Sequence, residues 1–402
     1  MTDPHPSGRL LRFARPAVDE VRHGIGCLTE LGDVLERDGV ERAVIITGRS
    51  LAGNAPLLAS VTDAMRGRVA GVFSQTRRHV PRATAIAAAD FLRDKHADAV
   101  ISFGGSTQSD TAKGAVWAVA GDLRTPDGFE HFAMRFQYPS ARIIPAMPGK
   151  ALPIYALPTT LSAGEFTSIA GLTDPESGEK QLFQDPKLGA RVAVLDPTLT
   201  LDTPEELWLS SGVKAIDHCV EAWFSTSHQT ITDALAAEAL AMLMRDLPVT
   251  RNRPDDLNAR LNCQIAAWCS VFGLANVSLG LSHGLGHQLG SHCDVAHGLT
   301  SCALLPPVIE FNSDVTQDRR ETLCRRLQAS LDPAISAAGF KAEIESLIRD
   351  RLGLPWRLRD MGVPEAELER VALSSLRDPI VATNPKPISD VDQVRSVLAS
   401  AW

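Results

Sequence analysis

Four of the chain's eleven histidines fall in one short run, residues 280–298, which holds His283, His287, His292 and His297. On a helix, His283 and His287 are four apart and share one face. His297 lies beyond Gly290, where the helix is expected to end, and could fold back toward them. Two imidazoles one turn apart, with a third on the following loop, suit a divalent metal. They suit equally a set of proton donors in a cleft. A lone histidine is more often a satisfied surface or core residue, but four so close together weaken that reading. Gly280, Gly284, Gly286 and Gly290 point the same way, because they let a neighbour or a ligand come close to the backbone.

Two further stretches carry chemistry. The strand Ala99–Phe103 runs into Gly104-Gly-Ser-Thr-Gln-Ser-Asp-Thr-Ala-Lys113, which continues as a helix. Glycines between a strand and a helix N-terminus expose N–H groups where the helix dipole favours an anion, so a phosphate could dock there. A second strand, Pro153–Leu157, opens into Pro158-Thr-Thr-Leu-Ser-Ala-Gly-Glu-Phe-Thr167, a hydroxyl-rich turn fit for the ligand crevice of an open parallel sheet.

The elements that position these residues come in two kinds. Residues 1–18 are expected to begin as a disordered tail, and 21–39 as a turn followed by a helix. Strands at 43–48, 69–73 and 99–103 alternate with helices ending near Arg66 and at 81–96, the pattern of a doubly wound parallel sheet. Residues 121–152 read as an irregular surface loop, and 168–200 as β pieces including Ile169–Thr173 and Val192–Leu195. After about Leu201 the strand signals stop, and helices are expected at 204–225, 229–248, 255–277, 280–290, 301–312, 317–331, 340–361 and 364–377. The reading is an α/β dinucleotide-binding domain over 1–200 and an all-α domain over 201–402 that carries the histidines.

A length of 402 residues makes two domains the natural expectation. With 44% hydrophobic and 22% charged residues, the composition is that of a globular protein. A net charge of −8 without a basic cluster argues against nucleic acid as a partner. No apolar run is long enough to cross a bilayer, so no membrane partner is expected, and the start lacks the apolar core of a signal peptide. Seven scattered cysteines without a CxxC pair fit reduced thiols, and a cytoplasmic location is expected.

The motifs, in this order, resemble the iron-containing alcohol dehydrogenase family, which has a dehydroquinate synthase-like fold. The markers are the loop 104–113, Ala156-Leu-Pro-Thr-Thr160 with Gly164-Glu165, Ser211-Gly-Val-Lys-Ala-Ile-Asp-His-Cys-Val-Glu-Ala222, Leu281–Gly290, and Asp294-Val-Ala-His-Gly298. Gly164-Glu-Phe-Thr167, the strand 192–195 running into 196–201, and Asn384-Pro-Lys-Pro387 lean toward its maleylacetate reductase branch. The resemblance implies a nicotinamide and a small-molecule substrate in the cleft between the domains, and a homodimer. It implies that Gly104, Gly105, Ser106 and Thr107 lie against the pyrophosphate with Asp110 nearby. Thr159, Thr160 and Ser162 would contact the nucleotide and Lys180 the ribose. His218, His283 and His297 match three of four metal ligands, and His287 matches the histidine beside the nicotinamide.

Three departures shape the expected chemistry. Ser106 stands where the phosphate loop's third glycine is usual, and its Cβ is expected to restrict the turn. Gly48 stands where relatives that favour NAD often carry an acid, and Arg49 follows, so NADP is preferred over NAD. The fourth metal ligand, an aspartate in the dehydrogenases, is Lys214, one helical turn before His218. An ammonium about 4 Å from a divalent ion at an effective dielectric of about 20 costs about 8 kcal/mol, so iron or zinc is not expected. The expectation is an NAD(P)H-dependent reductase of an activated C=C or C=O on a small polar, anionic substrate. Lys214 would steady the developing oxyanion and His283 or His287 would return the proton. The alternatives are an iron- or zinc-dependent alcohol dehydrogenase with Lys214 turned outward, and a repurposed scaffold for isomerase, cyclase or aldol-type chemistry by lysine and histidine.

Overall fold

The computed structural model describes residues 13–14, 17–137, 141–174, 176, 178, 180–331 and 335–402. Most of the expected disordered tail lies outside the described residues. The strands are β1 (Glu20–His23), β2 (Ala43–Ile46), β3 (Val69–Phe73), β4 (Ala99–Gly104), β5 (Arg135–Gln137), β6 (Ala141–Ile143), β7 (Ile154–Pro158), β8 (Ile169–Thr173), β9 (Lys180–Gln184) and β10 (Val192–Leu195). Helices α1 (Leu31–Arg37), α2 (Arg49–Gly53), α3 (Ala55–Ala64), α4 (Arg82–Asp94) and α5 (Ser106–Ala120) connect the first strands.

Six strands form one sheet in the order β1-β10-β7-β4-β2-β3, and every neighbouring pair is parallel. The two antiparallel pairs, β5 with β6 and β8 with β9, lie outside it. The inner strands are apolar on both faces, as a sheet covered on both sides requires. Val44, Ile46 and Val100 pack with α4 and α5 residues such as Ala88, Ala112 and Trp117. Ala43, Ile45, Ile101 and Phe103 pack on the other face with Leu31, Leu35 and Val61. From β2 the chain goes outward to β3 and then returns to β4 on β2's other side. The crevice between the carboxyl ends of β2 and β4 is therefore the switch point at which such sheets bind ligands.

Nine helices among the described residues follow β10: α6 (Glu205–Phe224), α7 (Thr230–Asn252), α8 (Leu257–Val271), α9 (Leu281–Cys293), α10 (His297–Phe311), α11 (Gln317–Leu327), α12 (Phe340–Ser346), α13 (Leu368–Ser375) and α14 (Val391–Ala401). Helix α6 is buried continuously from Trp208 to Phe224, and the other helices surround it.

Several expectations are corrected. Residues 20–23 form the edge strand β1, not a turn, because Glu20 to His23 pair along β10. The stretch 121–152 contains a 3-10 helix, Pro126–Phe132, and the β5–β6 pair rather than loop alone. Helix α9 continues through Gly290 to Cys293 and ends at Asp294, which takes the left-handed conformation (φ 53°) expected of a glycine. His297 therefore begins α10 rather than sitting on a loop. The expected helix 340–361 breaks up after a π turn at Leu347–Arg351.

Candidate active site

Lys214, Asp217, His218 and Glu221 recur on α6 at intervals of three and four, so they make one polar stripe on a helix that is otherwise core. All four are buried. Their charges must be met inside the protein. The Lys214 ammonium donates to Asp217 Oδ2 at 3.1 Å. The same oxygen accepts the hydroxyls of Ser282 at 3.1 Å and Ser301 at 2.6 Å, so α9 and α10 are pinned to α6 at this one carboxylate. Burial works against an ionised Asp217. The imidazole of His283, Lys214 and Ser301 outweigh it and hold the pKa down, at about 2.

Glu221 fixes the start of α9. It accepts the N–H groups of Gly280 at 2.9 Å and Ser282 at 2.8 Å, while Asn384 Oδ1 accepts that of Leu281 at 3.1 Å. Helix α9 thus has its free N–H groups met from α6 and from the C-terminal segment. Glu221 Oε2 also lies 2.6 Å from His283 Nδ1. Burial, then Asp217, pushes Glu221 up to about 8, and burial pushes His283 down to about 3. Near neutral pH the imidazole of His283 is uncharged.

The glycines of α9 serve packing. A Cβ on Gly284 would stand 2.2 Å from Val381 Cγ2, and one on Gly286 2.9 Å from Thr300 Oγ1. The close neighbour is protein at both.

The structure brings the sequence-derived histidines together. His218 and His283 stack with ring centroids 5.0 Å apart, and His287 and His297 stack at 5.6 Å. His292, one turn beyond, instead meets Ser374. Burial lowers His218, and neighbouring His283 and Lys214 lower it further. After burial, Lys214 is also a cause of the depressed value of His283. His218 and His283 are buried, His297 is exposed and His287 is half-buried, with Nδ1 3.4 Å from Asp378 Oδ2.

On the nucleotide side, β4 and β7 end level, Gly104 beside Pro158. Gly104 has φ 140°, and a Cβ on Gly105 would meet Thr160 Oγ1 at 2.9 Å, so both glycines are needed for this turn. Thr159 donates its N–H to Gly104 O at 3.1 Å, and Thr160 and Ser162 share a hydroxyl hydrogen bond at 2.9 Å. Ser106 is the first residue of α5 and exposed; its Cβ does not restrict the turn, contrary to expectation. Thr107 follows it on the helix. Lys113, the end of the loop motif, is buried and donates to Gly164 O, Thr167 O and Ile169 O at 2.7 to 3.0 Å. It braces the β7–β8 connection. Lys180 reaches across Gly171 to Asp110 at 3.5 Å. Gly48 and Arg49 begin the connection after β2. These residues form a glycine cradle at a helix N-terminus, which fits a dinucleotide's pyrophosphate.

A cavity of about 2100 Å³ opens beside the cluster, and His287, Gln288, Lys180, Phe166, Arg377 and Asp378 are on its wall. Lys214, His218, His283 and His297 do not line it, so His287 joins cavity to cluster. Across the crevice, His79, in the connection after β3, lies 2.6 Å from Asp294 in the turn between α9 and α10.

Sequence reasoning missed Asp217, Glu221 and Asp378. The first two carried a signal, since they sit three and seven residues after Lys214 on the same helical face. Asp378 comes from 91 residues beyond His287, and nothing local announces it.

The metal question turns on Lys214. Asp217, Glu221 and His283 offer ligand atoms within 4.8 Å of one another, yet the donors just named already take Asp217 Oδ2 and both Glu221 oxygens. Three imidazoles under the field of a buried ammonium are a poor donor set for a divalent ion. The residues present do not fit one while Lys214 is charged.

The chain matches the family description "Iron-containing alcohol dehydrogenase" over residues 19–197 and "Fe-containing alcohol dehydrogenase family, C-terminal" over 208–402. It is 31% identical over 379 residues to the maleylacetate reductase of Pseudomonas knackmussii, covering 94% of each chain. It is 30% identical over 393 residues to dehydrogenase ALT3 of Alternaria alternata, covering 90% of this chain and 99% of that one. The crystal structure of maleylacetate reductase from Agrobacterium tumefaciens superposes with a TM-score of 0.78 at 25% identity, over 98% of each chain. The sheet with its glycine cradle, the helical half and the full-length likeness agree. The chain belongs to the iron-containing alcohol dehydrogenase family and is an oxidoreductase.

Proposed function

We propose that the protein is a reductase of a small, polar, anionic substrate, acting on an activated C=C or C=O as the maleylacetate reductases it resembles do by name, and without a catalytic metal. The observation that carries this reading is the Lys214 ammonium, buried beside the histidine cluster and paired to Asp217. A bound nicotinamide supplies the hydride. Asp217 takes one hydrogen of the ammonium, which leaves two for an oxygen that gains negative charge as the hydride arrives. His287, on the cavity wall and steadied by Asp378, returns the proton. His283 is the weaker candidate for that step, because its Nδ1 is committed to Glu221 and burial keeps it from charging. The cofactor preference goes to NADPH, since Gly48 brings no carboxylate and Arg49 adds a guanidinium at the crevice. The free thiols of all seven cysteines suit a reducing compartment such as the cytoplasm.

A second reading has one observation in its favour. His283 Nε2 is buried without a partner among the described residues while a carboxylate holds Nδ1, an arrangement that also orients imidazoles toward metals. Elemental analysis of protein purified without added metal separates the two. The first reading expects well under one iron or zinc per chain and turnover that survives a chelator. Stoichiometric metal whose removal abolishes activity would overturn it.

A further inference from the structure

Gln108 lies inside the nucleotide crevice, in a position that none of the roles above uses. Its carboxamide spans the switch point. Oε1 accepts the Gly105 N–H at 2.9 Å, and Nε2 donates to Thr76 Oγ1 at 3.0 Å. Thr76 in turn donates to Thr47 O at 3.1 Å. One side chain on α5 thereby ties the end of β4 to the ends of β2 and β3.

The carboxamide fills space that two glycines leave. A Cβ on Gly104 would fall 2.6 Å from Oε1, and a Cβ on Gly48 would fall 3.0 Å from Nε2. Any side chain at residue 48 would have to move Gln108. The absence of a carboxylate after β2 and the presence of this amide are two halves of one arrangement.

The chemistry follows from the hydrogens. A carboxamide nitrogen carries two. Thr76 takes one, and among the described residues the second has no acceptor. The Arg49 guanidinium at the start of α2 likewise has no hydrogen-bond or ion-pair partner among them. In dinucleotide-binding sheets a carboxylate in this region accepts from the ribose 2′-hydroxyl, whereas a cation accommodates a 2′-phosphate. Here the residue after β2 is Gly48 rather than a carboxylate, the amide nitrogen of Gln108 lies against it, and Arg49 follows in sequence; a neutral donor and a cation suit a phosphate.

We propose that Gln108 is a cofactor-selecting residue, whose Nε2 donates to the 2′-phosphate of NADPH beside Gly48. The proposal rests on the nicotinamide reading. Oε1 keeps the Gly105 N–H throughout, as the third helical residue does in a capping box, and leaves the N–H groups of Ser106 and Thr107 to the pyrophosphate.

The test is calorimetric binding of NADPH and NADH to the wild-type protein, Gln108→Glu and Gln108→Ala. Gln108→Glu keeps an acceptor for the Gly105 N–H, so α5 keeps its start, but it replaces the donor with a negative charge. The wild type is expected to bind NADPH more tightly than NADH. Gln108→Ala is expected to cut that ratio about tenfold, the scale of one hydrogen bond to a charged group. Gln108→Glu is expected to cut it further and leave NADH binding near its wild-type value. A ratio unchanged in Gln108→Glu, or equal losses for both nucleotides, would overturn the proposal alone, as would a wild-type preference for NADH. Binding of neither nucleotide by the wild type would bring down the nicotinamide reading and this inference with it.

Discussion

Replacing Lys214 with methionine removes the ammonium while keeping most of the side chain's length and volume. Two consequences are expected, and a second substitution tells them apart. Asp217 is left buried without its cation, which should cost about 3 kcal/mol or more of stability. If the ammonium steadies an oxyanion, kcat should also fall by a factor on the order of a hundred to a thousand, with KM changed much less. Asp217→Asn leaves the ammonium in place and keeps an oxygen for the two serine hydroxyls. It should lose stability yet retain turnover within about tenfold. Steady-state kinetics beside urea denaturation of both variants decide the matter; equal kinetic losses in the two would reduce Lys214 to a structural role. The departure expected at residue 214 was legible in the sequence because Lys214 sits within the stretch 211–222 that carries the family resemblance. Its partner was equally visible in type and spacing. What the sequence could not supply was the direction of Nζ, which depends on Ser282 and Ser301 arriving from two other helices.

At the scale of elements, the histidine helix is held by close approach. Gly284 presses on Val381 and Gly286 on Thr300, while Glu221 and Asn384 meet the first N–H groups of α9. In an exposed helix a glycine-to-alanine change would add up to about 1 kcal/mol of stability. Gly284→Ala should do the reverse and cost about 1 to 3 kcal/mol, because its Cβ would overlap Val381 Cγ2. Adding Val381→Ala should recover part of that loss, and thermal denaturation of the single and double variants gives the coupling directly. Without recovery, the crowding at this contact is not what limits the helix. The same contact explains why α9 was harder to delimit than to detect. Gly290 signals a helix end, but the helix runs past it and stops at Asp294, while Gly284 and Gly286 are packing sites. Helix α14 shows the opposite failure. Its cap Asp390 and its buried Val394, Val397, Leu398 and Ala401 follow helical spacing, so it was legible and was passed over. Strand β1 was not legible, since Glu20-Val-Arg-His23 is strand only by virtue of β10, about 170 residues later.

The stability of the whole molecule should depend on pH through ionisable groups buried in both halves. In the α/β half, burial raises Glu165 to about 7 from its ordinary value of 4.5. In the helical half, burial and Asp217 raise Glu221 to about 8. A carboxyl whose folded pKa is raised binds its proton more tightly in the folded state. Its contribution is complete below about pH 4.5 and is lost as pH rises through the folded value. His283 and Asp217 act in the other direction. The depressed His283 loses its contribution as pH falls from about 6.5 toward 3, and Asp217 loses its own below about 4, toward 2. Stability should therefore pass through a maximum on the acid side of neutrality and decline between about pH 6 and 8. Lys113, lowered by burial to about 8, works against the decline only at higher pH, between its folded value and the ordinary 10.5. Glu165→Gln removes one titrating group and keeps the side chain's shape. Urea midpoints measured from pH 5 to 8 should show the variant gaining on the wild type as pH rises to about 7. The difference should approach about 3 kcal/mol at most, the linkage value for a shift from 4.5 to 7. Parallel slopes in the two proteins would mean that Glu165 titrates alike in the folded and unfolded chains, and that Glu221 carries the alkaline decline alone.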